Sequence, residues 1–234
     1  MEHKRLTLFM GHYGSGKTNI AVNYAKLLAR EGKRVCIADL DIVNPYFRTA
    51  DSAADLREAG VELIAPKFAN SNVDLPALPA EAYRLVEDKS VYGVMDIGGD
   101  DRGAYALGRY APFLQKENNY RAVFVANSYR PLTATPEEAL EVMREIEAAC
   151  GIPMTHIVNN ANLGWETTAE TVLSSLGYMQ ELSRLSGLPI WFHAAEKTVA
   201  EALSGKLSPV LSMQLQEKYF DLPRQKPQAR PLFG

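Results

Sequence analysis

The chain has 234 residues, of which 47% are hydrophobic and 23% charged, and its formal net charge is −3. These fractions argue against a disordered chain, and the slight acidity argues against broad binding to nucleic acid or to an anionic membrane. The two cysteines, Cys36 and Cys150, belong to no C-x-x-C, which argues against a metal or iron–sulfur site built by one chain and points to a reducing compartment.

The basic start and short apolar run of "MEHKRLTLFMGH" superficially suggest a leader. The run is too short for that and leads straight into a glycine-rich loop, so it reads as a buried first strand over 5–10. Ile20, Ala21, Tyr24, Leu27 and Leu28 then recur at helical spacing, with Gly32 as the stop. Strands follow at 34–41, 61–66, 91–99, 122–127, 155–160 and 189–194. Helices are expected at 74–89, 135–151, 167–187 and 197–206. Thr135-Pro136-Glu137-Glu138 is a strong helix start: a cap, a proline in the first position, then acids near the positive end. No run approaches the ~18 apolar residues of a spanning helix, and the expectation is a cytoplasmic protein.

Strands alternating with helices imply a three-layer αβα architecture with a mostly parallel central sheet. With no repeat and no interior linker, residues 1–221 read as one nucleotide-binding domain. Residues 222–234, "LPRQKPQARPLFG", form a proline-rich tail, either loose or draped over the body or a partner.

Gly11-His12-Tyr13-Gly14-Ser15-Gly16-Lys17-Thr18 fits G-x-x-x-x-G-K-[ST] between a strand and a helix. Glycines let the backbone curl so that successive N–H groups face phosphate oxygens, and the helix start adds partial positive charge. Nucleotide contacts are therefore expected from Gly11 through Thr18 and from Asn19. Lys17 reaches the β- and γ-phosphates and serves catalysis, and the Thr18 hydroxyl is a ligand for Mg²⁺.

In a parallel sheet the strand ends that carry acids lie on the same edge as this loop. Asp96, after "VYGVM" and before Gly98 and Gly99, is the expected Mg²⁺ carboxylate, with Asp100 as a secondary switch residue. Asp39 is assigned to the metal shell or to structure, and Asp41 to positioning the attacking water or acceptor. Tyr46, Phe47 and Arg48 follow in "NPYFR", as loop anchors, a contact surface or a phosphate cation.

A phosphate loop, "ADLD" closing the second strand and "DIGGD" at the next acidic strand end together resemble the MinD/ParA group. That group includes the nitrogenase iron protein, the arsenical-pump ATPases and the CobB/CobQ and dethiobiotin synthetase relatives. The resemblance covers roughly 6–163 and implies a P-loop NTPase fold with ATP and Mg²⁺ as cofactors. It implies a nucleotide switch for a protein partner, an ATPase acting on the β–γ phosphoanhydride. The alternative is an ATP-dependent synthetase or kinase acting on a small metabolite. It also carries an adenine-contacting role to Asn159, ahead of Asn160, in "THIVNN". A guanine-reading N-K-x-D or T-K-x-D is absent at a suitable place, which favours ATP over GTP.

The chain departs from the group at His12. Dimeric members place there a lysine that reaches the partner's phosphates, and an imidazole is shorter and no permanent charge. A homodimer is left open, with Arg48, Arg102 and Arg130 as replacement cations. The group's cluster-ligating cysteines and its lysine-rich membrane helix are missing, so no iron–sulfur cluster is expected.

Overall fold

The computed structural model describes residues 2–40, 49–65, 80–98 and 107–216. In chain order these form β1 (Leu6–Met10), α1 (Lys17–Arg30), β2 (Val35–Leu40), α2 (Ala53–Glu58), β3 (Glu62–Ile64), α3 (Arg84–Glu87), β4 (Tyr92–Ile97) and α4 (Ala111–Glu117). There follow β5 (Tyr120–Ala126), α5 (Pro136–Cys150), β6 (His156–Asn159), α6 (Ala169–Ser174), α7 (Leu176–Ser186), β7 (Ile190–Glu196), α8 (Lys197–Leu203) and β8 (Val210–Met213). The sheet order is β3-β2-β4-β1-β5-β6-β7-β8, and every pairing is parallel.

Strand alternation divides the core into two layers, one on each side of the sheet. Leu6, Leu8, Met10, Met95, Ala122 and Phe124 face α5 and α7 through Ala139, Met143, Ile146, Met179 and Leu182. Phe9, Ile37, Val94, Val123 and Val158 face the opposite way, against Ile20, Ala21, Tyr24, Ala25 and Leu28 of α1. This is the three-layer α/β fold expected from the alternation of apolar runs and helical patterns.

Several elements differ from expectation. The helix expected over 167–187 is interrupted at Ser175, whose buried hydroxyl donates to the Val172 carbonyl at 2.7 Å and accepts from Asn159 Nδ2 at 2.8 Å. A serine that bonds the preceding turn competes with regular helical bonding. The eighth strand, β8, carries too few residues to show alternation and is recognised only through its pairing with β7 and the burial of Leu211 and Met213. Helices α2 and α4 are likewise too short for a period to stand out. Of the helix expected over 74–89, the described part is a 3₁₀ turn at Ala80–Tyr83 and α3.

The segment after β8 is tied to α1 by side-chain amides. Asn23 donates from Nδ2 to the Gln214 carbonyl and accepts from the Gln214 N–H, both at 2.9 Å, and Asn19 Oδ1 accepts from the Gln216 N–H at 3.0 Å. Among the described residues no helix is long and apolar enough to cross a membrane.

Candidate nucleotide-binding site

The loop between β1 and α1 is shaped by its glycines. Gly16 is the N-cap of α1 with φ of 87°, and a Cβ there would lie 2.2 Å from Asn160 Nδ2. A Cβ on Gly11 would lie 2.7 Å from the Val125 carbonyl oxygen. Both positions therefore need glycine, one for its left-handed backbone and both for close approach. Among the described residues no side chain caps α1 and its first turn holds no acid, which suits a helix start that faces an anion.

Lys17 and Thr18 open α1 and are buried. Asn19 turns its side-chain oxygen to Gln216, so its contribution to an anion site is its backbone N–H. The Tyr13 side chain is exposed, and Ser15 is buried with no partner for its hydroxyl among the described residues. His12 folds back on its own loop, donating from Nδ1 to the Tyr13 carbonyl at 2.9 Å.

Asp39 and Asp96 are direct neighbours across the β2–β4 pairing, and Asp96 also faces Phe9 in the register of β1. Alternation puts both carboxylates on the α1 side of the sheet, at the end where Lys17 and Thr18 begin the helix. They are 1% and 0% exposed. The residues fit a divalent ion by their chemistry: Thr18, Asp39 and Asp96 supply hard oxygen ligands at one end of the sheet, and phosphate oxygens complete such a site. Among the described residues no cluster of three or more acidic, histidine or cysteine side chains forms a metal site without the nucleotide. Asp96 Oδ2 accepts from the Thr49 hydroxyl at 2.9 Å. Asp41, Tyr46, Phe47, Arg48, Asp100 and Arg102 lie outside the described residues, as does the 222–234 tail.

The expected contact from Asn159 is redirected. Its Nδ2 group donates to Ser175 Oγ at 2.8 Å and to His193 Nδ1 at 3.0 Å, while its Oδ1 accepts from the Ala161 N–H. Both amide protons are thus committed inside the fold. Burial holds the His193 pKa below its usual value, in keeping with a neutral ring that accepts at Nδ1. The neighbouring Asn160 points to the loop instead, donating from Nδ2 to the Ser15 carbonyl at 2.6 Å. Its Oδ1 is buried without a protein partner among the described residues, as is Ser15 Oγ. Orphaned polar atoms beside a glycine cradle fit a site that receives a polar ligand.

A second loop, after β5, also grips the phosphate loop. Arg130 Nε donates to the Gly14 carbonyl at 2.8 Å. Buried Asn127 joins this loop to the one after β6: its Oδ1 accepts from the Tyr129 N–H and its Nδ2 donates to the Asn162 carbonyl. The signals for these ties, a doubled asparagine and a lone arginine, are visible in the sequence, but their partners are not.

A glycine cradle on an uncapped helix start, a buried lysine and threonine, and paired acids on the adjoining strands define a P-loop nucleotide-binding protein. The model of the CobQ/CobB/MinD/ParA nucleotide binding domain matches residues 9–163, and the chain belongs to that family. No curated protein matches it.

Among solved structures it is similar to the cell division protein FtsY from Thermotoga maritima (20% identity, TM-score 0.56, covering 81% of this chain and 61% of that one). It is also similar to the signal recognition particle receptor FtsY from Elizabethkingia anophelis in complex with GDP (15% identity, TM-score 0.53, 83% and 58%). A third is the Signal Recognition Particle 54 kDa protein from Aeropyrum pernix K1, also in complex with GDP (18% identity, TM-score 0.51, 82% and 41%). The chain spans about three fifths or less of these proteins' lengths, and at such identities the likeness is one of fold.

The expectation of ATP, and with it of an ATP-binding ATPase, is corrected by these matches, two of which hold GDP. It rested on a missing guanine-reading motif. Guanine is recognised by suitably placed donors and acceptors of any origin, so the lack of one motif is weak evidence.

Proposed function

We propose that this chain is a guanine-nucleotide switch: it binds GTP with Mg²⁺, hydrolyses it to GDP, and presents different surfaces to a protein partner in the two states. The observation that carries the reading is the direct bonding of two outer loops to the phosphate loop, Arg130 to Gly14 and Asn160 to Ser15. Whatever γ-phosphate does to the phosphate loop reaches those loops without an intermediate. They also expose large apolar side chains, Tyr129, Leu132, Leu163 and Trp165, and the phosphate loop itself exposes Tyr13. Apolar groups exposed on linked loops suit a protein contact better than bulk solvent.

Thr18, Asp39 and Asp96 would hold Mg²⁺, which neutralises charge on the β- and γ-phosphates when bound. Lys17 would add its charge at the same oxygens. Thr49 would sense the state of Asp96, since its hydroxyl bonds the carboxylate that the ion attracts. The choice of guanine is supported by the GDP complexes among the similar folds.

Calorimetry with GDP and GTP, with and without Mg²⁺, tests this. The wild type should bind both guanine nucleotides and Lys17→Ala should bind GTP at least about tenfold more weakly. Equal binding by the two proteins, or wild-type binding of ATP in preference to GTP, would overturn the reading.

A further inference from the structure

We propose that Arg130 acts in cis as the arginine that stabilises charge on the γ-phosphoryl group during hydrolysis. The proposal rests on the switch reading above and adds a catalytic residue to it.

Arg130 lies against the outer side of the phosphate loop. Besides the bond from Nε to the Gly14 carbonyl, its Nε and Cζ come within 3.6 and 3.8 Å of where a Gly14 Cβ would stand. That leaves Nη1 and Nη2 with no hydrogen bond among the described residues. A guanidinium offers five N–H donors in a rigid fork. One is fixed on the loop and four remain for a ligand held by the same loop.

The backbone that carries the side chain is well anchored. The Arg130 N–H donates to the Asn127 carbonyl at 3.1 Å, and its carbonyl accepts from the Thr133 N–H at 3.0 Å. Thr133 Oγ1 also donates to the Asn127 carbonyl at 2.9 Å, and Asn127 and Thr133 are both buried. A donor fixed before the reaction stabilises developing charge without reorganising at the moment it forms.

Among the described residues, the other basic groups of the loop are placed differently. Lys17 is buried at the start of α1, and His12 is turned to the Tyr13 carbonyl. Arg130 is therefore the exposed cation that the described fold brings to the phosphate loop. In the step itself, water adds to the γ-phosphorus as the bond to the β–γ bridging oxygen breaks. The products are GDP, inorganic phosphate and a proton released to solvent. Arg130 contributes charge and hydrogen bonds and exchanges no proton.

The test compares wild type, Arg130→Ala and Arg130→Lys by single-turnover GTP hydrolysis, GDP titration, binding of GDP with aluminium fluoride, and thermal melting. Arg130→Ala should lose about a hundredfold or more in turnover and should no longer gain affinity from aluminium fluoride. Its GDP affinity should stay within about threefold, because the interaction strengthens only as charge develops. Arg130→Lys should recover part of the loss, since an ammonium supplies charge without the fork. Turnover within about threefold of wild type would overturn the proposal alone. So would a parallel fall in turnover, GDP affinity and Tm, which marks a structural prop. A wild type that binds no guanine nucleotide would overturn the switch reading and this proposal with it.

Discussion

Asn160 and Ser15 are joined across the sheet edge by a 2.6 Å hydrogen bond from the asparagine amide to the serine carbonyl, beside a glycine that leaves the amide room to enter. Asn160→Ala removes that brace and leaves a buried carbonyl unpaired. We expect a loss of about 1–2 kcal/mol in stability and weaker GDP binding, measured by thermal melting and calorimetry on the same preparations. Gly16→Ala should be worse, because its Cβ would collide with that amide at a left-handed backbone position.

Asp96 and Asp39 share one end of the sheet with Thr18. If they hold the ion, Asp96→Asn should make GDP affinity insensitive to Mg²⁺ while binding in EDTA stays near the wild-type value. Titrations in the two buffers read this directly. A variant that keeps the wild-type Mg²⁺ response would remove Asp96 from the metal site.

Arg5 is a buried cation far from the loop. It pairs with Glu117 and donates to the carbonyls of Leu85, Asp88 and Val91, at 2.8, 3.3 and 3.1 Å. Glu117 also pairs with Lys89, and these bonds hold its carboxyl below the usual range despite burial, which pushes the other way. Arg5→Met leaves Glu117 with Lys89 as its partner and takes a donor away from three carbonyls. Urea denaturation should show a loss of about 2–3 kcal/mol, the scale for hydrogen bonds to a charged group, since Lys89 keeps Glu117 partnered.

His156 titrates at about 4, pushed down by burial first and then by the charges of Arg121 and Lys4. Burial lowers His193 as well. A histidine whose folded pKa is depressed binds its proton in the unfolded state first, so its stabilising contribution is complete above about 6.5 and falls as pH drops toward 4. Melting temperature should decline across that window. His156→Gln should flatten the decline by about 1–2 kcal/mol, a figure reduced for the partial exposure of the ring.

The two tryptophans report separate places. Trp165 is 86% exposed on the loop after β6, whereas Trp191 is 9% exposed and lies 4.1 Å from the Arg121 guanidinium. Trp165→Phe should remove the red-shifted part of the fluorescence emission and change stability by no more than about 0.5 kcal/mol. A blue shift of the wild-type emission on adding a protein from the host would identify the surface in use, and Trp165→Phe should abolish it.

Much of the fold was legible because its signals are local. The loop from Gly11 to Thr18 carries its glycines, lysine and threonine in one stretch, and apolar strands between helical patterns imply a parallel sheet without any knowledge of contacts. Asp39 and Asp96 were legible as strand ends for the same reason. The strand β8 and the helices α2 and α4 were not, since each is shorter than the window in which a period can be recognised.

The sequence by itself determined the phosphate loop, the acidic strand ends and the layered architecture, because each depends on residue type and spacing along the chain. Only the tertiary structure decided which asparagine faces the loop, since Asn159 and Asn160 are chemically identical and differ only in the side of the strand from which they project. It likewise decided which arginine reaches Gly14, because that contact joins residues 116 positions apart. Side-chain direction and long-range pairing arise when the sheet closes, and neither is encoded in any single segment.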